Sequence, residues 1–571
     1  WGITKGLDLM YRLGMDYYND RREQFFAKNA RAYPSGRNFT DENNLTDITS
    51  DLILTYNVDL TDDIHLQALA GQNLYSNNFA FNYVQRDGAG ALGQPPPPLY
   101  ATTIASSNNT GKRTMAYYGD IRLDYRNALF LNITGRNEWS TTLPEANNSF
   151  FYPSVSAAAV LTELLPSMKS DALSYLKVRA NVATVGKDAP FGGTITGYSR
   201  GGFADGWTNG ITFPFSSVIG LSRNDLLANP DLKPESTTSY ELGFDAAFLD
   251  GRITLDFNYY YQLSDNQIFA VPIASSSGYS SQLKNAGSMS NSGIEAVLGI
   301  TPIQTADFSW NMLFNFTRNV NKVEKLAPGV DNIFLGGFVG SSVRAVEGQP
   351  YGSIYGFGWA RDEKGNVLID DDPNSDNYGY PILDPEEKSF GNFNPDFLLG
   401  IRNTFTWKGL SLGIQLDIRQ GGVMWNGTRG ALYFFGTHKE TENREGTKVF
   451  TGVKASNGAV NDIEAAYGEG WLSLGNGNGF FGSNTEDFIE DASWIRLREV
   501  TLSYTIPTEI MASTPFSGLT VAFTGRNLWL STPYTGVDPE TSLLGAASGQ
   551  GLDYFNMPGT KSYVFSFNLN F

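Results

Sequence analysis

A chain of 571 residues with 41 basic and 59 acidic side chains carries a formal net charge of −18, which argues against nucleic acid as a partner, because phosphates need a basic surface. It has no cysteine and only two histidines, His65 and His438, so disulfide frameworks, thiol nucleophiles and His- or Cys-rich metal centres are excluded. Aromatic residues at 13%, charged residues at 18% and 61 glycines suit strands and turns better than amphipathic helices. No apolar run reaches the roughly 18 residues of a membrane-spanning helix. Trp1 does not open a basic-then-apolar signal peptide, so the chain reads as mature or as a fragment.

In chain order, period-two alternation predicts about sixteen strands, near 6–18, 46–60, 63–81, 114–126, 128–138, 152–162, 174–187, 235–249, 252–270, 286–302, 307–323, 396–407, 410–421, 493–507, 517–530 and 560–571. Ile121, Leu123 and Tyr125 alternate with Asp120, Arg122, Asp124 and Arg126. Ile253, Leu255, Phe257, Tyr259, Tyr261 and Leu263 alternate with Thr254, Asp256, Asn258 and Gln262. Leu410, Leu412, Ile414, Leu416 and Ile418 stand against Gln415, Asp417 and Arg419. A soluble sandwich shows the same alternation, so the links decide. Tight joints at Thr61-Asp62, Asn127, Asp250-Gly251 and Lys408-Gly409 alternate with long polar segments at 82–113, 188–234, 324–395, 422–492 and 531–559. That asymmetry is expected of an all-β transmembrane antiparallel barrel with short periplasmic turns and long extracellular loops. Lipid offers the backbone no hydrogen bonds, which forces such strands to pair with neighbours all round. Tyr17, Tyr18, Trp139, Trp310, Trp407, Trp494, Trp529 and Phe571 are candidates for the interfacial aromatic girdles. Arg122, Asp124, Arg126, Glu241, Asp245, Arg402, Asp417 and Arg419 are expected on a hydrated wall.

Several motifs recur in order. Asn229-Pro230-Asp231-Leu232-Lys233-Pro234-Glu235 runs into Ser239-Tyr240-Glu241-Leu242-Gly243, and is followed by Asn285-Ala286-Gly287, Ser292-Gly293-Ile294-Glu295 and Asn394-Pro395-Asp396-Phe397. Further on stand Trp494-Ile495-Arg496-Leu497-Arg498-Glu499, Gly525-Arg526-Asn527-Leu528, Asp538-Pro539-Glu540 and the terminal Phe571. Together they resemble the SusC-like branch of TonB-dependent outer-membrane transporters. The resemblance implies a barrel of about 22 strands, of which about sixteen are visible, with the plug domain and the energy-coupling segment outside this chain. It also implies TonB-driven import of a glycan or peptide, a SusD-like surface lipoprotein as lid, pairing into dimers, and residence in the outer membrane of a Gram-negative, Bacteroidota-like bacterium. Phe571 resembles the terminal aromatic signal read by the insertion machinery, and is also readable as a girdle residue. Locally, Pro230 and Pro234 stiffen the approach to a strand, a structural role.

Loop aromatics suited to stacking on sugars are Trp207, Tyr355, Phe357, Trp359, Tyr378, Tyr380, Trp425, Tyr433, Phe434 and Phe435. The competing reading is that loops this long build small cores of their own. Asp370, Asp372, Asn374 and Asp376 resemble the start of a calcium loop, but Ser375 replaces its glycine and Pro381 stands where a bidentate glutamate is needed, which favours a solvated acidic loop. Gly477-Asn478-Gly479-Phe480-Phe481-Gly482 matches a dinucleotide fingerprint by letter only, without a βαβ unit. Pro95 to Pro98 predict a stiff polyproline segment. No Ser/His/Asp or paired-carboxylate constellation stands out, so the chain does not read as an enzyme and no cofactor beyond that calcium is expected. A non-transporting scaffold barrel and a passive porin are the alternatives to import.

Overall fold

The structure, a computed structural model, describes residues 2–570 except 32, 89–99, 204–210, 214, 474, 480–482, 513 and 546–548. Sixteen long strands occur among the described residues: β1 Leu7–Phe26, β2 Arg37–Thr61, β3 Ile64–Asp87, β4 Thr102–Tyr125, β5 Leu129–Ser140, β6 Ser149–Val160, β7 Leu173–Lys187 and β8 Glu235–Phe248, then β9 Ile253–Pro272, β10 Ser281–Gln304, β11 Phe308–Leu326, β12 Phe397–Trp407, β13 Leu410–Gln420, β14 Trp494–Thr505, β15 Gly518–Ser531 and β16 Ser562–Asn570. Each falls on a predicted strand. They belong to one large antiparallel sheet, and no described helix is long and apolar enough to cross a membrane.

The chain divides into two compact units: Trp1–Ala159, Ala180–Tyr240 and Ser264–Ala286 form the first, and Val160–Arg179, Glu241–Leu263 and Gly287–Phe571 the second. In the first unit the pairing register fixes which residues share a face. Leu54, Ala70, Gly119, Gly135 and Pro153 stand opposite one another across β2 to β6, and one step along are Leu52, Gln72, Tyr117, Asn137 and Phe151. On this face Leu13 is 65% and Phe151 63% exposed to solvent, exposed apolar side chains of the kind that suit lipid. The other face is polar and cross-linked: Arg12 donates to Asp51 at 3.1 Å, Asn73 to Asp51 at 2.8 Å and Asn77 to Asp47 at 2.6 Å.

The short joints are turns that need left-handed backbone. Arg126 and Asn127 have φ of 55° and 51°, Lys408 and Gly409 of 46° and 86°, as two-residue hairpin turns require. A Cβ on Gly409 would come within 2.8 Å of the Thr505 carbonyl oxygen. The segment 82–113, read above as loop, is mostly strand: β3 and β4 pair out to Asp87 opposite Thr102. Asn77-Asn78 and Ser106 to Thr110 are polar on both faces, so the alternation that betrays a strand vanishes while its hydrogen-bond ladder continues.

In the second unit the buried core lies in the loops. Asn332–Phe338, Ser341–Val346, Ser353–Gly356 and Lys388–Asn392 form a four-stranded sheet. Val423–Asn426 pairs antiparallel with Ile489–Asp491 and parallel with Leu552–Asp553, joining three loops that are far apart in sequence. Helix α1, Gly427–Phe434, follows at once, its N-terminus capped by Asn426 Oδ1, which accepts from the Arg429 N–H at 3.0 Å. Val343, Ile354, Ile369, Trp425, Phe488 and Leu552 fill the core between them.

Candidate functional site

A cleft of about 750 Å³ lies in this loop layer of the second unit, walled by Trp359, Tyr433, Phe450, Tyr467 and Trp471 and edged by Arg361, Arg429, Glu440, Glu486 and Asp487. Its aromatic wall is a ladder. Trp359 stacks on Trp471 at 5.7 Å and 19°, and Trp471 on Tyr380 at 4.9 Å and 3°. The rings are held by polar edges: Trp359 Nε1 donates to Asp487 Oδ2 at 3.2 Å, and its backbone N–H to Glu486 Oε2 at 3.1 Å. Glu486 is also paired with Arg361. Across the cleft the Tyr433 hydroxyl donates to Glu440, which pairs with Arg429 at 3.0 Å, while the Arg429 guanidinium lies over the Phe488 ring at 5.4 Å.

These groups have perturbed acidities. Desolvation by the surrounding protein pushes the Asp487 carboxyl above the usual carboxylate range, against the stabilising Trp359 hydrogen bond. The Tyr433 hydrogen bond holds Glu440 below that range, and burial, then that same bond, pushes the Tyr433 phenol up. Such clusters in a cleft mark sites. This cleft brings stacked, buried rings together with fixed donors and acceptors at its edge.

Of the aromatics singled out in the sequence, Trp359 and Tyr433 line the cleft, at 5% and 7% exposure, as buried members of the same loop core as Trp425. Trp425 is 1% exposed, packed in the loop core against Phe338 at 5.6 Å, so its ring is not presented to solvent. Tyr355 sits in the loop sheet, its hydroxyl accepting from Gln349 Nε2 at 2.8 Å, and Tyr378 is exposed. Trp207, Pro95 to Pro98 and Phe571 lie outside the described residues. Arg429, Glu440, Phe450, Trp471 and Asp487 were not singled out by sequence; only loop aromatics hinted at them. Trp494 needs correction as a girdle residue: it pairs with Arg419 on the polar face and is 6% exposed. Trp407 and Trp529 are half-exposed and stand opposite Leu410 and Leu497, on the apolar face.

In the acidic loop, Asp370 Oδ1 accepts from the Asp372 N–H at 3.1 Å and Oδ2 from Ser375 Oγ at 2.5 Å, while Asp372 Oδ1 accepts from the Asn374 N–H at 3.0 Å. Asn374 and Asp376 are exposed. No group of three metal-binding His, Asp or Glu side chains occurs among the described residues.

The ordered motifs are joints. Leu232, fully buried, packs with Leu143, Ala189 and Leu283. The Lys233 N–H donates to Asn285 Oδ1 at 2.9 Å, and Asn285 Nδ2 returns a bond to the Lys233 carbonyl at 2.8 Å, so two motifs lock together. Asn229 Oδ1 closes a turn onto the Asp231 N–H, Pro230 and Pro234 hold the chain either side of Leu232, and Glu235 accepts from the Ile268 N–H at 2.8 Å. A Cβ on Gly293 would lie 2.5 Å from the Tyr260 hydroxyl; Glu295, exposed, follows on the same face. Asn394 Nδ2 donates to the Tyr351 carbonyl at 3.0 Å, and beyond Pro395 the Asp396 N–H bonds Gln420 at 2.7 Å. Arg496 pairs with Asp538 at 2.7 Å, both almost fully buried. Arg498, aimed by a bulge between Leu497 and Glu499, pairs with Asp417 and Glu540, each at 2.7 Å.

Comparison with known proteins accounts for this pattern. The profile of the family described as "TonB dependent receptor-like, beta-barrel" matches residues 2–528. TonB-dependent receptor P26 of Formosa agariphila is 26% identical over 490 residues, covering 82% of this chain and 47% of that protein. TonB-dependent receptor SusC of Bacteroides thetaiotaomicron is 24% identical over 501 residues, covering 83% of this chain and 45% of SusC. The chain thus spans about half the length of the curated relatives it matches. The structure of the RagAB peptide transporter superposes with a TM-score of 0.75 at 20% identity, over 100% of this chain and 60% of that one, which shows a shared fold. The chain belongs to the TonB-dependent receptor-like β-barrel family.

Proposed function

We propose that this chain is the barrel wall and loop layer of a SusC-like importer in the outer membrane of a Bacteroidota-like bacterium. TonB, acting through parts of the protein beyond this chain, drives entry of a glycan or peptide, and a SusD-like surface lipoprotein covers the loops. Homology to SusC supports the partner and the coupling, and the RagAB transporter lends the peptide alternative through its fold. The observation that carries the reading is the loop cleft, where the buried wall of Trp359 and Trp471 meets the Arg429–Glu440 and Arg361–Glu486 pairs at its edge. Aromatic walls and charged edges together suit an oligosaccharide or a peptide.

The test uses the full-length protein in its host. Uptake of labelled oligosaccharides and oligopeptides is compared in the wild type, a deletion strain, a strain lacking TonB, and Trp359→Ala. Loss of one substrate class in all three altered strains is expected. Uptake that survives without TonB would make the barrel a passive pore, and unchanged uptake in the deletion strain would leave only a scaffold.

A further inference from the structure

The apolar face of the first unit is not uniform. At its upper limit a hollow of about 690 Å³ is lined by Ile48, Leu74, Met115, Trp139 and Leu143, with Arg113 on its rim. Below it a second hollow of about 610 Å³ is floored by Ala70, Gly119, Gly135 and Pro153 and flanked by Ile121, Ile133 and Phe151. The register explains the lower one: residues with short or no side chains stand abreast across four strands, and larger apolar ones stand on either side.

Arg113 stands where this face changes character. Toward the short turns β4 presents Met115, Tyr117, Ile121 and Leu123; beyond Arg113 it presents Gly111, Asn109 and Ser107, and β3 changes likewise from Leu74 to Ser76 and Asn78. Depth agrees. Arg113 is twelve residues from Tyr125 at the short-turn end of β4, or about 40 Å along a strand, and about 30 Å of vertical rise at a tilt near 45°. An apolar band of about 25 Å therefore ends just below it. Trp139, at ring distance 6.1 Å from Tyr117, marks the interface at this level. Lys112, on the opposite face, is held by Asp188 at 2.7 Å; Arg113 enters no ion pair among the described residues and points outward.

We propose that this face holds a site for a phosphorylated lipid of the outer leaflet, with the phosphate on Arg113 and acyl chains in the two hollows. The inference rests on the membrane-spanning reading of the fold and is independent of what the barrel transports. A cation at headgroup level directly above a built apolar trough meets both halves of such a molecule.

The experiment takes the purified, delipidated full-length protein in detergent with magnesium, because Glu145 shares the rim and would repel an unscreened phosphate. Retention of lipid A, of the same lipid stripped of phosphate, and of inorganic phosphate is measured by native mass spectrometry. Wild type should keep lipid A about ten-fold more tightly than Arg113→Gln, as Lys112→Gln also should. Ile48→Trp, which fills the upper hollow, should weaken both lipid forms. Equal retention by wild type and Arg113→Gln would overturn the proposal, as would an equal loss in Lys112→Gln. Displacement of lipid A by inorganic phosphate at comparable concentration would show a free-phosphate site instead. A protein that is soluble without detergent would sink the membrane reading itself, separately from these arms.

Discussion

Replacing Asp538 by alanine leaves Arg496 as a charge buried in the junction between the 531–559 loop and the sheet. Both side chains are almost fully enclosed, at 5% and 7% exposure, and 2.7 Å apart. Removing one partner of a buried pair costs about 3–5 kcal/mol. Glu540, 2.9 Å from Arg496 Nε, remains as a partial partner, which places the cost near the low end, about 3 kcal/mol. Since about 1.4 kcal/mol is a factor of ten, local opening of the loop should rise about 100-fold. Glu540→Ala should do much less, because it is one-third exposed and Arg498 keeps Asp417. Native-state proteolysis of the folded protein in nanodiscs, read at sites in 531–559, measures both. Equal protection in wild type and Asp538→Ala would refute the claim that these motif residues hold the loop.

Leu232→Ala should destabilise the first unit's loop packing by about 2–5 kcal/mol, seen as lost protease protection near 188–234, because the side chain is fully buried among Leu143, Ala189 and Leu283. Asp487 has a folded acidity weaker than its unfolded one, so its contribution is sound below the ordinary carboxylate range and is lost as pH rises through the folded value. Trp fluorescence of the wild type should follow that titration through the Trp359 contact, and Asp487→Asn should flatten it; an unchanged curve would contradict the assignment. Calcium titration should give no heat attributable to the 370–376 loop, whose Asp370 and Asp372 oxygens already cap its own backbone; a saturable heat abolished by Asp370→Asn would overturn this. Reversing the charge of Arg402 should raise passive leakage of the full-length barrel if the polar wall docks a plug; unaltered leakage would remove that role.

The wall was readable because each of its strands buries one face in lipid, so a period of two is written into Ile121 to Tyr125 and Leu410 to Ile418. Where a strand leaves the membrane, as beyond Arg113, both faces meet water and the period disappears although pairing continues. The loop layer was harder to read for a different reason. Its strands run two to seven residues, and its partners, such as Trp425 with Leu552 or Trp359 with Trp471, are brought together only by the fold. Loop aromatics were recognisable as a class, but a core tryptophan and a cleft tryptophan look alike in sequence. Trp494 misled because it opens a strand, and only the register with Arg419 shows that it faces the polar side.

A membrane-spanning wall requires the side chains of one strand to alternate between lipid and water. The chain has no cysteine, so single spin labels at Ile121, Arg122 and Leu123 in the full-length protein, reconstituted in bilayers, test this without background. Oxygen should relax the labels at 121 and 123 and a water-soluble nickel reagent the one at 122. Equal access of the nickel reagent to all three would contradict it.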